Sequence, residues 1–99
     1  MNDKDYNELV NTELNEILNL IEEIDQEGVC EADLISGVLS ISLPQGKQYV
    51  INKHLPTKKI WMSSPFSGPN YFEYKNNCWI NNKNINIIQV LKTEIESIL

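Results

Sequence analysis

The spacing of apolar residues changes twice along this 99-residue chain, and that change restricts the fold more than any other feature. Over residues 3–26, Tyr6, Val10, Leu14, Ile17, Ile21 and Ile24 recur on one side at 100° per residue, as in an amphipathic helix. Over 85–98, Ile87, Ile88, Leu91, Ile95 and Ile98 do the same. Between these segments the period drops to two. Cys30, Ala32 and Leu34 alternate with Glu31 and Asp33, and Leu39, Ile41 and Leu43 alternate with Ser40 and Ser42. Tyr49–Lys53 and Lys58–Ser64 read as a strand pair linked through Leu55-Pro56-Thr57, with a Pro-rich turn from Pro65 to Pro69. Tyr71–Tyr74 and Cys78–Ile80 read as two further strands. Tight turns fall at Ser36-Gly37, Pro44-Gln45-Gly46 and Lys75-Asn76-Asn77. Strands joined this closely must pair antiparallel. The expected fold is α+β: a two-layer sandwich with N- and C-terminal helices on one face of an antiparallel sheet of about six strands. Residues 1–99 form one domain.

Function classes narrow next. No run of 18 apolar residues exists, so no helical membrane span is expected. The start, Met-Asn-Asp-Lys-Asp, lacks the basic and apolar regions of a secretory signal and the Arg of a transit peptide. A bacterial, cytoplasmic protein is the expectation. Cys30 and Cys78 lie 48 positions apart without metal or redox spacing, and are expected as reduced thiols, one in each half of the core. His54 is the only histidine, which disfavours a His-based metal site or a catalytic triad.

Charge is segregated. Residues 1–33 hold 11 acids against Lys4, a net of −10, whereas residues 34–99 carry a net of +4. Phosphate contact favours a basic face, so nucleic-acid binding is disfavoured. If the first helix and first strand pack side by side, one edge gathers Glu16, Glu22, Glu23, Asp25, Glu27, Glu31 and Asp33. Such an all-carboxylate, open edge suits hard cations, bound weakly and with little selectivity. A solvated helix face is the simpler explanation of the helical acids. Two facts count against it: the acids have almost no lysine partners one turn away, so they repel, and the cluster continues into the strand. Either a cation or a basic protein patch would relieve it.

Trp61 alternates with Ile60 and Met62, so with those two in the core it is expected on the open sheet face, with a Trp buried at a sheet edge as the alternative. An exposed Trp among polar residues is a partner anchor. Trp79 reads as core.

The string Tyr49-Val50-Ile51-Asn52-Lys53, Pro56, Ile60-Trp61, Ser63-Ser64-Pro65, Ser67-Gly68-Pro69 closely resembles the central strands of the frataxin family, whose bacterial branch is CyaY. The likeness covers nearly the whole chain, through the acidic first helix, Gly37-Val38-Leu39 and Trp79. Two positions depart from the family pattern: Asn70-Tyr71 stand where basic residues are common, and His54 stands where Gln is common. The resemblance implies iron, ferrous or ferric, weakly bound on the acidic edge. It implies that Asn52 and Trp61, and less directly Lys53 and His54, meet the cysteine desulfurase and iron–sulfur scaffold. The expected function is regulation of iron–sulfur cluster assembly by a non-enzymatic monomer, with iron-dependent oligomers as the variant. The alternatives are a weak iron-oxidising or iron-storing protein and a metal-independent adaptor. Efficient oxidation is disfavoured, since the chain lacks the Glu-x-x-His motifs of four-helix di-iron proteins.

Overall fold

The computed structural model describes residues 1–99. Helix α1 runs Asp3–Ile24, followed by strands β1 (Glu31–Ile35), β2 (Val38–Ser42), β3 (Gln48–His54), β4 (Lys59–Ser64), β5 (Gly68–Lys75) and β6 (Cys78–Ile80), then helix α2 (Ile87–Glu96). The strands form one meander in chain order, every neighbouring pair antiparallel. The expected architecture holds.

The turns explain why the meander closes so tightly. Ser36-Gly37 and Asn76-Asn77 each place two consecutive residues at positive φ, as two-residue hairpins require. Between β3 and β4, Leu55-Pro56-Thr57 forms a 3-10 turn that ends on Lys58 in the left-handed region. The helices are two residues shorter at the inner ends than expected, and the largest boundary difference is at the start of β5. Gly68 and Pro69 belong to β5, not to the preceding turn, because Ser64 shortens that turn: its Oγ accepts hydrogen bonds from the Phe66 and Ser67 amides. Pro69 is tolerated since its missing N–H would point away from β4.

The core lies between the helices and one sheet face. Tyr6, Val10, Leu14, Ile17 and Ile21 of α1 and Ile87, Leu91 and Ile95 of α2 pack with Leu39, Ile41, Tyr49, Ile51, Ile60, Met62, Phe72 and Trp79. Asn2 caps α1 by accepting from the Asp5 amide, and Asn86 caps α2 through Ile88. Two polar staples tie helix to sheet. The Tyr6 hydroxyl donates to the Lys59 carbonyl and accepts from the His54 amide, joining α1 to both ends of the β3–β4 link. Glu94 Oε1 of α2 accepts from Tyr49 of β3 at 2.7 Å and from Ser64 of β4 at 2.6 Å. Burial and the Glu94 carboxylate push the Tyr49 hydroxyl far above its usual pKa, so it stays a donor.

The cysteine expectation is half right. Cys30 packs against the core, and burial, then the charge of Asp25, raises its thiol pKa. Cys78 does not. It precedes inward-facing Trp79 in β6, so the alternation turns it to the opposite face, with its Sγ donating to the Lys75 carbonyl. Both are free thiols.

Candidate functional site

The sheet has one face covered by helices and one bare. On the bare face, Asn52, Trp61 and Tyr71 stand opposite one another across β3, β4 and β5. Trp61 is half-buried and Tyr71 is 46% exposed. His54 joins them: its ring meets Tyr71 edge-on at 5.3 Å, and its Nδ1 lies 2.8 Å from Thr57 Oγ1. Ile35, at 69% exposure, adds an apolar side chain at the β1 edge of this face. An aromatic row on a sheet face that no helix covers is surface available to a partner. The two positions that departed from the family pattern, His54 and Tyr71, therefore contact each other.

Lys53 is not part of this row. It neighbours Asn52 in sequence, so the pleat turns it to the helical side, where its Nζ donates to Asn7 Oδ1 at 3.1 Å. Placing it with Asn52 and Trp61 ignored the two-residue period.

The acidic edge is also less unified than the sequence suggested. Glu31 and Asp33 lie on the bare face of β1, opposite Ser42 and Ser40. Glu22 and Asp25 stand on the flank of α1 nearest β1, where they line a cavity of about 310 Å³ with Leu18, Cys30 and Ala32. Glu27 follows α1 in the exposed connection to β1. Glu16 and Glu23, seven residues apart, project from α1 on the far side of its outward crest from β1. Asp25 shapes the backbone. Its two carboxylate oxygens accept from the Val29 and Cys30 amides at 2.9 and 2.7 Å, which turns the chain from α1 into β1. No three Asp, Glu, His or Cys side chains converge on a point that could enclose a metal ion. The donor set fits a cation held through water by one or two carboxylates, as cargo on an open surface.

Glu13 was hidden among the eleven acids. It lies on the flank of the α1 apolar stripe, one turn from Leu9 and Ile17, and is half-buried. Burial and then the neighbouring Glu16 charge lift its pKa from 4.5 to about 7. The sequence signal was the spacing itself, since Glu13 sits at i−4 from a core position.

Two helices on one face of a six-stranded antiparallel meander, with a bare face carrying an Asn–Trp row beside acidic residues, define a class of small two-layer α/β proteins. Comparison with known proteins makes the class specific. The family model for the frataxin-like domain matches residues 1–99. The mitochondrial frataxin homolog of Saccharomyces cerevisiae is 34% identical over 95 residues, covering 92% of this chain and 55% of that protein. Mitochondrial frataxin of Arabidopsis thaliana is 32% identical over 104 residues, covering 99% and 56%. The chain thus spans about half the length of the curated relatives it matches. Among solved structures, trimeric yeast frataxin complexed with ferrous iron superposes with a TM-score of 0.79 at 33% identity, covering 90% of this chain and 83% of that one. Frataxin from Psychromonas ingrahamii gives a TM-score of 0.86 at 20% identity, covering 98% and 90%, and supports the fold alone. The protein belongs to the frataxin family.

Proposed function

We propose that this protein regulates iron–sulfur cluster assembly by docking on a cysteine desulfurase–scaffold complex, and carries iron weakly as cargo on its acidic edge. The observation that carries this reading is the Asn52–Trp61–Tyr71 row on the bare sheet face, with Glu31 and Asp33 on the same face at the β1 edge, two strands from Asn52. The aromatic side chains supply contact area, and the carboxylates steer a basic partner surface and make docking sensitive to salt. The ferrous complex of yeast frataxin supports iron as the cargo. Open carboxylates bind such an ion through its hydration shell, so binding is weak and readily reversed. The reading requires no covalent chemistry by this chain and has it act in the cytoplasm as a monomer. A weak iron-oxidising activity is the alternative; the absence of converging ligands argues for transient binding instead.

Neutralising the β1-side carboxylates as Glu22→Gln, Glu31→Gln and Asp33→Asn separates cargo from docking. Anaerobic calorimetry with ferrous iron and pull-down of the desulfurase–scaffold complex in metal-free buffer are the two readouts. Weakening of both is expected. If both survive intact, the acidic edge is a solvated face and the reading fails.

A further inference from the structure

The sheet is incomplete at one place. Strand β5 has eight residues, but β6 covers only Glu73–Lys75. The two-residue Asn76-Asn77 loop makes Lys75–Cys78 a hydrogen-bonded pair, and Glu73–Ile80 is the next. Continuing the alternation, Tyr71 is the next residue whose N–H and C=O point away from β4. Nothing meets them. After Ile80 the chain doubles back: Ile80 bridges Asn86, and the Asn81 amide donates to the Ile85 carbonyl. The Asn81 side chain pins this turn by accepting from the Lys83 and Ile85 amides. The turn stands off from β5 and leaves an open cavity of about 350 Å³, lined by Lys59, Tyr71, Glu73, Ile80, Asn81 and Asn82 among others. No hydrogen bond within the protein involves the Tyr71 amide or carbonyl on this side.

We propose that this gap accepts an extended segment of a partner protein, which adds beside β5 and pairs with the Tyr71 main chain. Strand addition takes its affinity from main-chain hydrogen bonds and its selectivity from alternate side chains. Here the residue paired with Tyr71 would lay its side chain on the bare face opposite Tyr71 and diagonal to Glu73, and the Asn82 side chain, exposed at the rim, supplies a further polar contact. Pro69, two residues before Tyr71, has no N–H to offer, so the added segment is short and its register is fixed on Tyr71. Glu73 lines the gap beside Tyr71 and favours a basic side chain in the incoming segment. The β1 edge, by contrast, carries Glu31 and Asp33 and repels an acidic or a like strand. The gap opens onto the aromatic row, yet needs neither iron nor cluster assembly to operate.

The test uses the whole protein, uniformly labelled with nitrogen-15, and the peptide acetyl-Lys-Val-Thr-Val-Lys-amide at millimolar concentration. The expected result is a shift of the Tyr71 amide resonance with at least tenfold slower exchange of its hydrogen, both lost when the peptide is N-methylated at alternate residues. Tyr71→Ala keeps the amide and retains binding, whereas Tyr71→Pro removes it and weakens binding at least tenfold. The methylated peptide requires no protein variant, so a folding defect in Tyr71→Pro does not blunt the test. Shifts confined to the Trp61 indole, shifts at β1, equal binding of the methylated peptide, or no shift at all would each overturn the proposal. Because no desulfurase is present, failure here leaves the docking reading standing, and failure of docking leaves this result intact.

Discussion

Glu13→Gln should stabilise the protein at pH 8 and leave it unchanged at pH 4. The carboxyl is lifted from 4.5 to about 7 by burial and by Glu16. A group whose folded pKa is raised binds its proton more tightly when folded. Its contribution is therefore fully present below pH 4.5, is lost as pH rises towards 7, and is constant above that. At 1.36 kcal/mol per tenfold of proton affinity the ceiling is about 3.4 kcal/mol. The side chain is only half-buried, so screening by solvent brings this to roughly 1–2 kcal/mol. For a domain of this size that corresponds to about 5–10 °C in Tm. Glutamine keeps the shape and removes the charge. Thermal melts of wild type and variant should coincide at pH 4 and separate progressively to pH 8, the variant melting higher. Glu16→Gln should produce a smaller gain with the same sign, since it removes the second cause and leaves the first. A Glu13→Gln gain of equal size at both pH values, or none at pH 8, would refute the reasoning.

The remaining expectations follow from single contacts. Tyr6→Phe orphans the Lys59 carbonyl and the His54 amide at once and should cost about 1–3 kcal/mol, read from the urea midpoint at unchanged slope. Glu94→Ala leaves Tyr49 and Ser64 without their acceptor and should cost a similar amount, with faster amide exchange at Phe66 and Ser67, which Ser64 holds. Asp25→Ala should destabilise the α1–β1 connection by about 1–3 kcal/mol in metal-free buffer, which separates its structural role from cation binding.

Much of the architecture was legible because it depends on period. The helical stripe from Tyr6 to Ile21 and the alternation through Leu39 and Ile41 each name a buried face, and short turns leave no topology but a meander. The tertiary polar contacts were not legible. Nothing in the spacing of Tyr49, Ser64 and Glu94, up to 45 residues apart, announces that they share one oxygen. Asp25 looked like another acid of the edge until its amide partners were visible. Lys53 shows the opposite case: the pleat was sufficient to place it on the helical face, but family resemblance by sequence position drew it to the wrong side. The Asn52–Trp61 pair was placed correctly, since both the alternation and the resemblance pointed outward. Its aromatic extension through Tyr71 to His54 depends on the β4–β5 register, which opens with the unexpected inclusion of Gly68 and Pro69 in β5.

The central claim is that the bare sheet face docks a cluster-assembly complex. Sulfide release by the host's cysteine desulfurase with its scaffold, measured with and without this protein at low and moderate salt, tests it most directly. The account requires a change in rate that weakens with salt and disappears with Trp61→Ala, a substitution on the bare face that leaves the helix-covered core intact. A rate indifferent to the protein, with and without ferrous iron, would contradict it.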